Sequence, residues 1–88
     1  MDIIKIIKNA IDANKVTIGT DITLKELNLG KIDTVILSVN CPEKTKRDIV
    51  ISAQHSSAKV YTFEGTARDL GAIARRPHGI ATLGIKKQ

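Results

Sequence analysis

The sequence predicts an α/β fold: a three-layer α/β/α sandwich with a mixed four-stranded sheet, built as a single domain over residues 1–88. Two observations lead to this prediction. Helical and strand-like patterns alternate four times along the chain, with no repeat, linker or low-complexity segment between them. Residues 33–39 (DTVILSV) are almost continuously apolar and β-branched, which is typical of a strand covered on both faces. Because each helix covers one sheet face, helices are expected on both sides.

The first helix is predicted over residues 2–14, where apolar residues recur at the spacing of one helix face. That stripe consists of Ile3, Ile7 and Ile11, with Ile4, Ile6 and Ala10 beside it. Residues 16–19 form a short β-branched run, which predicts the first strand.

The second helix is predicted to begin at Thr20, whose hydroxyl is a suitable N-cap. Leu24 and Leu27 fall on one of its faces, and Gly30 is expected to end it. The apolar segment 33–39 then follows as the central strand.

The third helix is predicted over residues 42–57, with Pro42 suited to its first turn. Ile49, Val50 and Ala53 lie at helical spacing in this segment. Residues 60–63 predict the next strand and contain both aromatic residues, at least one of which is expected in the core.

The fourth helix is predicted to start at Thr66, because Asp69 three residues later completes a capping-box pattern. Leu70 and Ile73 supply its apolar positions, and Pro77 prevents its continuation. The last strand is predicted over residues 79–85, where apolar residues return.

Composition excludes several classes of protein. Cys41 is the only cysteine, so neither a disulfide framework nor a multi-cysteine metal site is possible, and a reducing, cytoplasmic location is expected. No apolar run approaches the roughly 20 residues of a membrane span, and the N-terminus lacks the pattern of a signal peptide. Fourteen Lys and Arg against nine Asp and Glu give a net charge of +5, which favours a polyanionic partner.

Catalytic and cofactor sites are not expected. His55 and His78 are the only histidines, and no motif sets either beside a nucleophile and an acid. Residues 65–71 lack the lysine of a P-loop and the glycine spacing of a dinucleotide site. Cys41 is interpreted as a small semi-buried hydrophobe and His55 as a surface residue. With only Tyr61 and Phe63 as aromatics, stacking on several bases is excluded as a mode of RNA binding.

Two segments have the features expected of turns that contact RNA. Residues 19–25 open a helix with free backbone N–H groups, and residues 75–80 follow a helix with two arginines. Both patterns have a purely structural alternative, because Thr20 and Asp21 suit any helix N-terminus and Arg75 and Arg76 suit any helix C-terminus. Local pattern alone leaves this choice open.

Residues 60–85, VYTFEGTARDLGAIARRPHGIATLGI, resemble the C-terminal half of the L-thirty-e family of archaeal and eukaryotic large-subunit ribosomal proteins. That family belongs to the kink-turn-binding superfamily, which also contains the L-seven-Ae proteins. The distinctive parts are an aromatic strand running into FEGT, then DLG, then RPH before an apolar strand. The resemblance continues upstream through residues 15–25 and the strand DTVILSVN, so it covers most of the chain.

The resemblance implies an RNA-binding site made of two turns. The first is implied to bring the Gly19–Thr20 backbone and Asp21 to the RNA, with Lys25 on phosphate and Asn40 near a nucleotide bulge. The implied second clamp consists of Arg75, Arg76, Pro77, His78, Gly79 and Ile80. Asp21 and Ile22 depart from the family pattern, which usually has Asn, Lys or Arg at the first position and Glu, Lys or Ser at the second. An Asp can still accept a hydrogen bond from a guanine edge but repels phosphate, and Ile22 offers no polar contact to a base.

The resemblance implies a non-catalytic protein of the large ribosomal subunit that binds kinked or internally looped rRNA, needs no cofactor or metal, and is monomeric when free. Two alternatives remain: a stand-alone kink-turn protein of small ribonucleoproteins, which shares the same loops, and a detached RNA-recognition domain of an RNA-modifying enzyme, whose relatives share the sandwich. The chain ends three residues after Ile85, so functions located in the longer tail of some relatives are not expected.

Overall fold

A computed structural model describes residues 2–87, in which helices and strands alternate from end to end. The elements are α1 (Ile3–Asp12), β1 (Val16–Ile18), α2 (Thr20–Asn28), β2 (Ile32–Leu37), α3 (Glu43–Ser56), β3 (Lys59–Thr62), α4 (Ala67–Ile73) and β4 (Thr82–Lys86). All eight elements expected from the sequence are therefore confirmed in type and order.

The four strands form one mixed sheet in the order β1-β4-β2-β3. β4 pairs antiparallel with both β1 and β2, while β2 pairs parallel with β3. Val35, Ile36 and Leu37 in β2 are all buried, as a strand covered on both faces requires. The predicted mixed four-stranded sheet is confirmed.

Two helices cover each face of the sheet, which gives the predicted three layers. On one face, Ile7 of α1 and Leu70 of α4 pack with Phe63, which confirms that an aromatic residue belongs to the core. On the other face, Leu27 of α2 packs with Ile49 of α3. The absence of a side chain at Gly84 in β4 lets α2 pack close to the sheet. A Cβ at this position would collide with the Thr17 hydroxyl, which lies beneath α2.

Thr20 is not an N-cap, contrary to the sequence-based expectation. Gly19 is the capping residue, with φ 104° and ψ 157°, and Thr20 is the first residue of α2. This backbone conformation belongs almost exclusively to glycine and reverses the chain sharply between β1 and α2. The Thr20 hydroxyl consequently lies against the sheet, 3.0 Å from that of Thr82.

Other boundaries differ by one to three residues. Pro42 precedes α3 as its N-cap instead of lying in the first turn. β4 begins at Thr82 and not at residue 79, because the N–H of Ile80 donates to the carbonyl of Ala67 (2.8 Å) and so leaves the ladder. The predicted end of α2 and the predicted capping box are confirmed: Gly30 has φ 73° just past the helix, and Thr66 and Asp69 exchange both capping hydrogen bonds.

Candidate nucleic-acid interface

Four connecting segments meet at one end of the sheet, where β1, β2 and β3 finish and β4 starts. We call this end the loop edge and define it as residues 19–21, 38–41, 64–67 and 79–82. Backbone hydrogen bonds join the segments, from the N–H groups of Gly19, Ser38 and Val39 to the carbonyls of Thr82 (3.1 Å), Ala81 (3.0 Å) and Gly65 (2.9 Å). The first predicted turn is therefore fixed to the start of β4, which follows the second predicted loop.

The Gly19 turn presents bare backbone at this edge. A Cβ added to Gly19 would meet no protein atom within 4 Å, so the space in front of it is open. α2 begins here with the bond from the Thr23 N–H to the Gly19 carbonyl (3.2 Å). Thr82 is fully buried, and its hydroxyl bond to Thr20 ties the turn to the sheet. Together these contacts hold a partly exposed stretch of backbone in place.

Two of the three helices that start at the loop edge lack a side-chain cap. The N-cap residues of α2 and α3, Gly19 and Pro42, make no side-chain hydrogen bond to the helix. α4 differs, because Thr66 and Asp69 cap it fully. The first N–H groups of a helix have no partner within the helix and carry partial positive charge. The uncapped starts of α2 and α3 can therefore accept an anion such as phosphate.

The outer face of α2 carries a mixed set of side chains. Asp21 and Lys25 are both exposed and lie one turn apart, so they share a helix face. Ile22 between them is 54% exposed. The face supplies one cation, one carboxylate and one apolar contact.

Asn40 holds two segments of the loop edge together. Its side-chain oxygen accepts a hydrogen bond from the Ala67 N–H at 2.9 Å, which joins the loop after β2 to the start of α4. The carbonyl of the same Ala67 accepts from Ile80. Asn40 therefore fixes the relative positions of the loop edge segments, and its amide group remains on the exposed surface.

The second predicted loop divides into exposed and internal parts. Arg76, Pro77, His78 and Gly79 are exposed. Ile80, which was predicted to contact RNA, is only 4% exposed and packs in the core.

Arg75, which is also exposed, pairs with α1. It has φ 60° and its guanidinium lies 3.5 Å from the carboxylate of Asp12 at the end of α1. The loop packs directly against α4 at Gly71, where a Cβ would collide with the His78 carbonyl. Of the two consecutive arginines, Arg75 thus contacts α1 and leaves Arg76 as the cation of the loop.

Three residues of the loop edge had no signal in the sequence. Val39 continues the apolar pattern of β2, yet it lies beyond the strand and is 60% exposed. The Ser38 hydroxyl is buried with no hydrogen-bond partner within residues 2–87. Thr82 contacts the Gly19 turn across 62 positions of sequence. Only the strand order brings these residues to the edge.

A cleft of about 210 Å³ opens beside the loop edge, between β2, β3 and the start of α3. Its lining includes Ser38, Val39, Cys41 and Lys46. Partial burial raises the pKa of the Cys41 thiol above its ordinary value, so the neutral thiol predominates at neutral pH. This supports the interpretation of Cys41 as a small hydrophobe.

Within residues 2–87, no group of three or more His, Cys, Asp and Glu side chains is arranged to hold a metal ion. In the same part of the chain, no helix has the length and apolar character that crossing a membrane requires.

The model of the Ribosomal protein L7Ae/L30e/S12e/Gadd45 family matches residues 1–88. This chain belongs to that family. The match confirms the resemblance inferred from residues 60–85.

Two relatives of similar sequence are large ribosomal subunit proteins. The chain is 38% identical over 86 residues to the large ribosomal subunit protein eL30 of Methanothermobacter thermautotrophicus, covering 98% of this chain and 88% of the relative. It is 35% identical over 79 residues to the protein of the same name from Methanopyrus kandleri, covering 90% of this chain and 72% of the relative.

Solved structures share the fold at lower identity. A protein with unknown function from Bacillus halodurans superposes with a TM-score of 0.86 at 21% identity, covering 96% of this chain and 83% of that one. The 15.5kD RNA binding protein of Giardia lamblia superposes with a TM-score of 0.81 at 16% identity, covering 97% of this chain and 71% of that one. These likenesses support the sandwich architecture.

Proposed function

We propose that this chain is a structural RNA-binding protein of the large ribosomal subunit that binds kinked or internally looped rRNA at the loop edge, without catalysis. The observation that carries the proposal is the convergence of the Gly19 turn, the loop after β2 and the start of α4 on residues 80–82, which directly follow the exposed 76–79 loop. Family membership and the names of the relatives, large ribosomal subunit protein eL30, support the ribosomal assignment.

The proposed recognition depends on backbone and shape more than on base stacking. The uncapped N-termini of α2 and α3 would receive phosphates, with Lys25 as an additional cation. The bare backbone at Gly19 allows a nucleotide to approach closely. Asp21 can accept a hydrogen bond from a guanine edge, while the exposed side chains of Ile22 and Val39 offer apolar contact to an unstacked base.

The two consecutive arginines provide a matched test. Arg76→Ala is expected to weaken binding to an internally looped RNA at least fivefold, whereas Arg75→Ala, which loses only the contact with Asp12, is expected to change it less than twofold. Both variants lose one charge and both side chains are exposed, so Tm should stay within about 2 °C of the wild type. Equal losses of affinity would show that the arginines act only through net charge.

Lys25 tests the phosphate contact separately. The logarithm of the affinity for the RNA should fall linearly with the logarithm of salt concentration, and Lys25→Ala should reduce the slope by roughly 0.7–0.9. An unchanged slope would remove Lys25 from the proposed site.

The particle that contains the protein distinguishes the ribosomal function from its alternatives. A tagged chain is expected to sediment with cytoplasmic large ribosomal subunits, and the free protein is expected to be a monomer. Sedimentation only with small ribonucleoprotein particles, or stable pull-down of an RNA-modifying enzyme, would contradict the ribosomal assignment while leaving RNA binding intact.

A further inference from the structure

The end of the sheet opposite the loop edge carries a row of lysines, one at the end of every strand. Lys15 precedes β1, Lys86 ends β4, Lys31 precedes β2 and Lys59 begins β3, with Lys87 next to Lys86. We call these five residues the lysine row. The N–H of Lys86 donates to the Lys15 carbonyl and that of Lys87 to the Lys31 carbonyl, both at 2.9 Å. Four separate segments of the chain thus bring lysines to one border.

Negative charge near the row is sparse. Lys31 lies 4.0 Å from a Glu26 carboxylate oxygen, at the outer limit for an ion pair. Asp33 also lies on this border, and it lines a cleft of about 280 Å³ together with Lys15 and Lys86. Asp12, the last residue of α1, lies 3.5 Å from the Arg75 guanidinium. Within the described part of the chain, no other ion pair involves a lysine of the row. Five lysines therefore share this border with three carboxylates, one of which is paired with an arginine outside the row.

Completion of helix ends does not explain the row. α1, α2 and α3 all finish at this border, and cations in a last turn stabilise a helix C-terminus. Yet the last turn of α1 has no basic residue, and those of α2 and α3 have only Lys25 and His55. Lys15 and Lys31 do follow helix ends, since their N–H groups donate to the carbonyls of Ala10 and Glu26 in the last turns of α1 and α2. Lys86 and Lys87 follow no helix, and the five lysines form a line across the sheet.

The chemistry of the row fits a phosphate backbone. Lysine is a compact point charge that contacts phosphate without the planar geometry by which arginine reads bases. Three gaps of about 4.8 Å between strands make the row roughly 14 Å long, enough to face several phosphates of one strand. Such a surface would bind duplex RNA without reading its sequence.

We infer that the lysine row binds the backbone of a second RNA segment, so that one molecule joins two RNA segments at opposite ends of its sheet. The inference rests on the proposed function of the loop edge. β4 connects the two surfaces, because it starts at Thr82 in the loop edge and ends at Lys86 in the row. With extents of 29 × 29 × 24 Å, the molecule would hold the two segments within one protein diameter of each other.

A recruitment assay tests the inference. An internally looped RNA is immobilised at low density and saturated with protein, so that the loop edge is occupied, and a labelled plain RNA duplex is then added. The protein is expected to retain the duplex on the surface. Lys59→Glu with Lys87→Glu should reduce this retention at least tenfold, while binding to the immobilised RNA changes less than threefold.

Lys5→Glu with Lys8→Glu is the matched control. These lysines are exposed on α1, outside the row, and the double variant changes net charge by the same amount. It should retain the duplex within threefold of the wild type. Thermal unfolding of both double variants verifies that they are folded.

The outcomes separate the two proposals. If the looped RNA binds but no duplex is retained, or both double variants lose retention equally, the lysine-row inference is wrong and the loop edge function stands. If the looped RNA binds no better than the duplex itself, the loop edge function fails, and the inference that depends on it fails too.

Discussion

Gly19 and Gly30 form a matched pair for substitution at the two ends of α2. Both have positive φ, 104° and 73°, and a Cβ at either would meet no protein atom within 4 Å. Any loss of stability on substitution by alanine must therefore come from the backbone conformation. Gly19 lies in the loop edge, and Gly30 lies at the opposite border, beside Lys31.

The expected losses of stability follow from the two conformations. The region occupied by Gly19 is essentially restricted to glycine, and a side chain there costs about 1–3 kcal/mol. The left-handed region of Gly30 costs alanine about 1–2 kcal/mol. For a domain of this size, Tm falls by about 4–8 °C per kcal/mol. Gly19→Ala should thus lower Tm by roughly 4–24 °C and Gly30→Ala by roughly 4–16 °C, measured by circular dichroism.

RNA binding should separate the variants more sharply than stability does. The methyl group of Gly19→Ala would occupy the open space that the proposed function assigns to RNA, so affinity should fall at least tenfold, equivalent to about 1.4 kcal/mol. Gly30→Ala should bind within twofold of the wild type at a temperature where both proteins are folded. Fluorescence anisotropy with an internally looped RNA measures both affinities. Equal affinities for the two variants would refute the assignment of the Gly19 turn to the RNA surface.

Three further predictions concern stability and reactivity. Thr66→Ala removes one side of the capping box and should lower the free energy of unfolding by about 1 kcal/mol; an unchanged denaturant midpoint would show that the cap contributes nothing. Gly84→Ala should destabilise the fold by about 1–3 kcal/mol, because its Cβ would collide with the Thr17 hydroxyl, and a stabilised variant would show that α2 can move away from the sheet. Because burial raises the pKa of Cys41, a smaller fraction of this thiol is thiolate at pH 7 in the folded protein than in an unfolded chain. Iodoacetamide should therefore modify the folded protein more slowly, and the rate should rise as pH increases. Equal rates in urea and in buffer would contradict this reasoning.

Local pattern was sufficient to predict the elements of this fold. The burial of β2 on both faces is visible in its continuous apolar run, and Ile7 in the predicted stripe of α1 is fully buried. Thr66 and Asp69 interact over three positions, so their capping box is also a local property. Such features depend on periodicity and short-range hydrogen bonds, which the sequence displays directly.

The candidate surfaces depend on contacts between distant segments and were predicted less completely. The role of Thr20 is set by Thr82, its hydrogen-bond partner across the sheet. The Ile80 side chain packs in the core, and its N–H donates to the Ala67 carbonyl instead of to a neighbouring strand. The lysine row becomes visible only when the order of the four strands is known. Residue patterns do not determine these tertiary neighbours.

The central claim is that the loop edge recognises bent RNA, and a paired titration tests it most directly. One labelled RNA contains a kinked internal loop, and the other is a plain duplex of equal length and charge, both measured at the same salt concentration near physiological. We expect the kinked RNA to bind at least tenfold more tightly, because unstacked nucleotides and the bend itself are absent from the duplex. Equal affinity for the two RNAs would mean that the chain binds only the phosphate charge that both molecules share, and would contradict the claim.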